Sequence, residues 1–316
     1  MLPILSICIP TFNRCELLKD TLDSIVSESV FLETEKVEIV ISNNCSTDET
    51  ESVCQSFLER FPTKIRYVKP PEPISGDENF IFVLQHANAR FLKLHTDKLL
   101  FLPGSLQKIL QILETREVGN VLFFKNQMDQ FQSEMRFGMK ECGNFDELMS
   151  EIHYMSTWIG GLCLSRDAFK KIEEPSKYSY LHFGQIYLMS EALKIKGKCT
   201  ICEDCVFCDN SKYQRTRGYS IPQVFGRDFH TLLKILQEEN AISLKTFEKI
   251  NYFNIFIINY LFLRDIRWTP GNLFDYLKTL LPIYGGCKRF YFEFFKMCGT
   301  AVLACFTPHK FKKQGI

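Results

Sequence analysis

The stretch Leu5-Ser6-Ile7-Cys8-Ile9-Pro10-Thr11-Phe12-Asn13-Arg14, followed by Val37-Glu38-Ile39-Val40-Ile41-Ser42-Asn43-Asn44-Cys45-Ser46-Thr47-Asp48, decides the fold. Each half is an apolar run that stops abruptly in a polar turn. Between them, Glu16–Ser27 carries Leu17, Leu18, Leu22, Ile25 and Val26 at helical spacing. This is one strand–helix–strand unit with polar groups gathered at both strand ends. In open α/β sheets, ligands bind outside the carboxyl ends of the strands. The two turns therefore mark where a ligand belongs.

The alternation continues outward from this unit. Glu49–Phe61 reads as a helix, Ile65–Val68 as a strand and Pro70–Gly76 as a Pro-rich loop. Asn79–Ala89 resumes as a helix, Phe91–Leu94 is a strand, Pro103-Gly104 opens a helix through Leu113, and Val121–Lys125 is a further strand. Strands alternating with helices over residues 4–125 predict a parallel sheet and a nucleotide-binding half. Trp158–Arg166 reads as a strand leading into a helix over Asp167–Glu173, and Gln185–Lys194 as another helix. From about Ile221 the chain is helical and aromatic. The expected division is an α/β domain over residues 1–220 and a helical region over 221–316, within the reach of a chain of 316 residues.

A net charge of +1 gives no electrostatic case for nucleic-acid binding. Pro3–Pro10 is too short for a signal peptide and lacks a basic leader, so the expected location is cytoplasmic. The 13 cysteines then read as free, often buried thiols. No run reaches the roughly 18 apolar residues of a spanning helix. The nearest are Phe253–Leu263, broken by Asn254 and Asn259, and Phe290–Phe306, which contains Glu293 and Lys296.

Ile7–Arg14 together with Ile41–Thr50 resembles the opening of family 2 glycosyltransferases of the bacterial surface-polysaccharide type. Their pattern is a strand ending Pro-Thr-Tyr-Asn-Arg, then one ending Asp-Asn-x-Ser-x-Asp. Here Phe12 replaces the Tyr and Asn43 the first Asp. The resemblance covers roughly residues 4–220. It implies the GT-A fold: α/β, a mixed sheet flanked by helices, here with a C-terminal helical region. It also implies that Pro10, Thr11 and Asn13 lie against the base and ribose, that Arg14 holds the base or diphosphate, and that Asn43 meets the base. Asn13 also reads as a helix cap, and Ser46 and Asp48 as caps of the next helix. Asn79, in Gly76-Asp77-Glu78-Asn79, is either a donor-site residue or a helix N-cap.

The family's third motif is an acidic metal-binding cluster ahead of Leu-x-Pro-Gly-x-Leu. The trailing part is present as Leu102-Pro103-Gly104-Ser105-Leu106, but the cluster is Thr96-Asp97-Lys98, with a single carboxylate. The diphosphate leaving group must be met by a divalent cation or by protein cations. Asp97 could hold Mg²⁺ or Mn²⁺ weakly; Lys98 could meet the phosphates as a point charge; or the site is degenerate. Arg215 and Arg217, in the basic stretch Lys212–Gly218, are candidates to replace metal charge if that loop closes, against the alternative of a solvated loop.

An inverting transfer needs a base for the acceptor hydroxyl. The resemblance places an acid at the start of a helix in the acceptor half, yet Tyr178–Gln185 contains none. His182 is the nearest titratable group, either as the base or as a packed imidazole; Asp167 and Glu191 are weaker candidates. The resemblance thus implies transfer from a UDP- or other nucleotide sugar to a glycan or lipid-linked glycan. The aromatic tail, with its basic flank, suits peripheral contact with the inner face of the membrane as well as a packed helical subdomain. Two other readings stand beside it. One is a silent GT-A-like nucleotide-binding module. The other is a metal-cluster protein built on Cys199, Cys202, Cys205 and Cys208, whose Cys-x-x-Cys spacing invites iron or zinc.

Overall fold

The computed structural model describes residues 2–115, 117–126, 138–195, 198–213, 219–266 and 273–306. They fall into two compact units, Met1–Arg215 and Thr216–Ile316.

In the first unit, β1 (Leu5–Thr11) and β2 (Val37–Asn43) flank α1 (Cys15–Val26) and the short α2 (Ser29–Glu33). Both strands are buried along their whole length. This is why they read as continuous apolar runs rather than alternating ones. They pair in parallel, with Ile7 opposite Ile39 and Thr11 opposite Asn43. α3 (Thr50–Arg60), β3 (Ile65–Val68), α4 (Gly76–Gln85), β4 (Phe91–Leu94), β5 (Leu99–Phe101), α5 (Ser105–Thr115) and β6 (Val121–Phe124) follow. Then come β7 (Met139–Cys142), α6 (Phe145–Ile152), β8 (Leu162–Ser165), α7 (Arg166–Phe169), α8 (Gly184–Ile195), β9 (Cys199–Cys202) and β10 (Phe207–Asp209). The main sheet has the order β3-β2-β1-β4-β8-β6-β9-β7, and β10 pairs with β5 in a separate antiparallel ribbon.

The sheet is mixed rather than purely parallel. β8 runs antiparallel to both β4 and β6, and β7 antiparallel to β9, while β1, β2, β3, β4, β6 and β9 share one direction. Apolar stripes on α1 (Leu18, Leu22, Ile25) and α5 (Leu106, Ile109, Leu110, Leu113) pack into the core with Phe31 and Phe57.

Three local expectations shift. The strand expected from Trp158 begins only at Leu162, after 3-10 turns at His153–Thr157 and Ile159–Gly161. Close approach explains the glycines there: a Cβ on Gly161 would stand 2.5 Å from the Phe123 ring. The helix expected over Asp167–Glu173 is the short α7. The third, α4, starts three residues before Asn79, because Ser75 and Glu78 form a reciprocal capping box. Ser75→Ala is expected to cost about 1 kcal/mol, read as a lower urea midpoint with an unchanged slope.

The second unit contains a π-helical segment, Pro222–Asp228, then α9 (Phe229–Glu238), α10 (Leu244–Ile266), α11 (Leu273–Tyr284) and α12 (Lys288–Phe306). Ile255, Ile258, Phe262, Tyr276, Leu280, Tyr284 and Phe290 form its core. The two asparagines that interrupt the α10 run are buried and bonded: Asn259 accepts from Tyr276 Oη at 2.7 Å, and Asn254 donates to the Phe225 carbonyl at 2.7 Å. Among the described residues, no helix is long and apolar enough to cross a membrane. Phe274, Phe292 and Phe295 are exposed.

Candidate functional site

Strand direction decides which residues can meet. β1, β2, β4, β6 and β9 point the same way, so Thr11, Asn43 and Leu94 end on one rim. A helix that connects two parallel strands runs back against them. α4, between the parallel β3 and β4, therefore starts on that rim, and α8, whose Gly184 N–H donates to Asp77 of α4, starts beside it. Sequence segments near residues 11, 43, 77, 97 and 184 converge there.

At the centre is Asp97, 2% exposed. Thr11 Oγ1 donates to its Oδ2 at 2.9 Å, and Arg14 Nη1 donates to its Oδ1 at 2.9 Å. Burial opposes the charge of Arg14, but Asp97 outweighs it and holds the guanidinium above its ordinary value. Pro10 sits where the ladder makes no demand on it. Pairing of β1 with β4 stops at Cys8 opposite Leu94, so no ladder bond is lost on that side.

Lys98 follows Asp97 and lays its ammonium over the Tyr213 ring, 4.1 Å from the centroid; the Arg14 guanidinium is 5.8 Å from the same ring. The β5–β10 ribbon makes this possible. It carries residues 207–213 back over the Asp97 turn, where the Asn210 N–H donates to the Lys98 carbonyl at 2.9 Å. Lys212 pairs with Asp20 at 2.8 Å. Arg215 and Arg217, the expected loop cations, lie outside the described residues. Tyr213 carried no sequence signal, because its place depends on a ribbon of three-residue strands.

This donor set is sparse for a divalent cation. Asp97 is one carboxylate with both oxygens already hydrogen-bonded, and its chain neighbour is a lysine. Among the described residues, no group of three or more His, Cys, Asp or Glu is arranged to hold a metal ion. Cys199 and Cys202 are buried on β9, whereas Cys205 and Cys208 are exposed.

The two turns are stapled to each other. The Asn13 N–H donates to Ser46 Oγ at 2.9 Å, and Asn13 Oδ1 accepts from the Thr47 N–H at 2.7 Å. Asn13 has φ of +50°, a conformation Asn tolerates better than most residues. Its side chain therefore ties turn to turn and does not cap α1. Asp48 takes that capping task, accepting from the Cys15 N–H at 3.0 Å and from the Thr50 N–H at 3.0 Å. Asn43, fully buried, accepts from the Ser46 N–H and donates to Tyr67 Oη, each at 3.0 Å. Asn79 is not an N-cap: it lies inside α4, accepting from Ser42 Oγ at the end of β2.

His182 is exposed and left-handed, with φ of +63°, two residues before α8. Gln185 is turned inward, its Nε2 donating to the carbonyls of Ser156 and Thr157 at 3.2 Å. The start of α8 thus offers no acid of its own, yet one arrives from α4. Asp77 Oδ1 accepts the Gly184 N–H at 3.1 Å. Asp77 is 8% exposed, and burial pushes its carboxyl up to about 6, against the opposing pull of the Gly184 hydrogen bond and of His182. Sequence reasoning missed Asp77, because an acid in a first helical turn reads as a partner for the helix dipole.

The model of "Glycosyl transferase family 2" matches residues 6–172. Abequosyltransferase RfbV of Salmonella typhimurium is 34% identical over 88 residues, 28% of this chain and 26% of that protein. Minor teichoic acid biosynthesis protein GgaB of Bacillus subtilis is 22% identical over 179 residues, 53% of this chain and 19% of that protein. The chain therefore spans about a quarter or less of the length of these two relatives. Among solved structures, the mannosyltransferase PcManGT from Pyrobaculum calidifontis, in complex with GDP-Man and Mn²⁺, aligns with TM-score 0.57 at 13% identity, over 98% of this chain and 88% of that one. S. aureus TarS 1-349 aligns with TM-score 0.55 at 14% identity, over 93% and 80%. These two likenesses speak to fold, which is that of the GT-A glycosyltransferases. With the sheet order, the rim of polar turns and a family match over more than half its length, the chain belongs to glycosyl transferase family 2.

Proposed function

We propose that the protein transfers a sugar from a nucleoside-diphosphate donor to a glycan or lipid-linked glycan hydroxyl in surface-polysaccharide synthesis, by one inverting displacement. The base and ribose lie against the Pro10–Arg14 and Asn43–Asp48 turns, with Asn79 bracing the end of β2. Arg14 and Lys98 neutralise the departing diphosphate. Arg suits phosphate because its planar fork donates two parallel hydrogen bonds, and Lys contributes a compact point charge. Asp97 holds Arg14 in readiness through a 2.9 Å pair. Peripheral contact with a lipid surface through the exposed Phe274, Phe292 and Phe295 belongs to the same reading.

The observation that carries it is two cations flanking one engaged carboxylate at the carboxyl rim of a nucleotide-binding sheet. It favours a working site without a metal over a silent binding module. The test is release of nucleoside diphosphate from UDP-glucose, UDP-N-acetylglucosamine and GDP-mannose, with Mn²⁺ or with EDTA. We expect one donor to turn over at a rate that EDTA leaves within about twofold, since protein charges take the metal's electrostatic task. Failure of every donor to bind or turn over removes the enzyme reading, and loss of activity in EDTA removes the cation account.

A further inference from the structure

We propose that Asp77 is the general base of the acceptor side, a carboxylate delivered from α4 to the start of α8, where the chain's own acid is missing. The inference rests on the glycosyltransferase reading above. It begins with topology: α4 starts on the rim that carries Asp97 and α8 starts beside it, so a residue in the first turn of one helix can serve the first turn of the other. The Gly184 N–H anchors Asp77 Oδ1 at 3.1 Å, which fixes the carboxylate, and among the described residues Oδ2 has no hydrogen-bond partner. Gln185 is committed to interior carbonyls and cannot compete for the role.

The chemistry follows. As the acceptor oxygen bonds to the anomeric carbon, its proton passes to Asp77 Oδ2. The bond from that carbon to the donor phosphate oxygen breaks, and its electron pair leaves with the nucleoside diphosphate, facing Arg14 and Lys98. A base works best when its pKa lies near the working pH, and burial has already moved Asp77 to about 6. The charged groups acting on it are His182, in the turn before α8, which favours the ionised form, and Glu78, its neighbour on α4, which opposes it. His182 thus acts on the base through space rather than as the base itself.

The experiment uses the full chain and whichever donor of the panel turns over, with water or a simple sugar as acceptor. Asp77→Asn keeps an oxygen for the Gly184 N–H while removing the proton acceptor. It is expected to lower kcat by about 10²-fold or more, with the donor KM and donor-induced thermal shift unchanged. In the parent, kcat/KM should fall as pH drops through about 6, where Asp77 becomes protonated. In His182→Gln that limb should move to higher pH with kcat reduced less than tenfold, because a charge favouring the carboxylate is gone. The proposal is overturned if Asp77→Asn keeps more than a tenth of the parent kcat, if His182→Gln loses as much as Asp77→Asn, or if the donor binds and the parent turns nothing over. Should Asp77→Asn not fold, an acid limb that stays in place in His182→Gln overturns it alone. A parent that binds no nucleotide sugar is a different outcome and defeats the glycosyltransferase reading itself.

Discussion

Arg14→Ala is expected to lower donor turnover by about 10²–10³-fold, the usual loss when one preorganised donor to a developing anion is removed. Two effects combine. The departing diphosphate loses its forked partner, and Asp97 keeps only Thr11, so an unneutralised carboxylate faces the phosphates. Lys98→Ala should cost less, about tenfold, because a single point charge on a flexible stem is easier for water to replace. Arg14→Lys should recover only part of the loss, since an ammonium cannot match the fork. Arg14→Ala should also lower stability, because Arg14 is 39% exposed but Asp97 is only 2% exposed and keeps a buried charge when its partner is removed. Single-turnover release of nucleoside diphosphate, alongside urea unfolding, separates the two readouts. A loss below about threefold in Arg14→Ala would take Arg14 out of the leaving-group account.

The second large effect concerns stability rather than chemistry. Lys93, on β4, is fully buried. Its ammonium donates to the carbonyls of Leu94 and Gly160 and lies 4.8 Å from the Phe207 ring centroid. Burial pushes its pKa down to about 7, with Cys163 and Cys8 pulling weakly the other way. In the unfolded chain it titrates near 10.4. Between those values the unfolded state binds more protons than the folded one, so stability rises with pH across that window; below about 7 both states carry the proton and the penalty is constant. Lys93→Met removes this linkage. At 1.36 kcal/mol per pKa unit, the variant should gain about 4 kcal/mol on the parent at pH 7 relative to pH 10. Two lost hydrogen bonds, at about 1 kcal/mol each, offset part of the absolute gain. Urea midpoints at pH 6, 8 and 10 check this. A difference between variant and parent that does not narrow as pH rises would contradict it.

Much of the first unit was legible because its elements follow from local pattern. β3 and β4 begin and end where their apolar runs do, and α1, α3, α5 and α8 lie within two residues of their helical spacing. The strand directions of β7 and β8 were not legible. An apolar strand carries no mark of whether its partner runs with it or against it, and long connections hide the pairing. Trp158–Gly161 misled for a related reason: glycines in an apolar run look like strand, whereas here they permit tight turns against Phe123. The site was legible in part. Thr11, Arg14 and Asp97 do meet, but Asn13 and Asn79 serve as staples between segments rather than as caps.

By itself the sequence determined that two polar turns close two buried parallel strands, and that the usual metal-binding carboxylates are reduced to Asp97 beside Lys98. Those are properties of residue type and short-range spacing. Only the tertiary structure decided that Asp97 is held by Thr11 and Arg14, that Tyr213 returns to cover Lys98, and that Asp77 meets Gly184 across 107 residues of chain. Burial and electrostatic pairing depend on which segments share the rim. That is set by strand order and direction, and no local pattern encodes it.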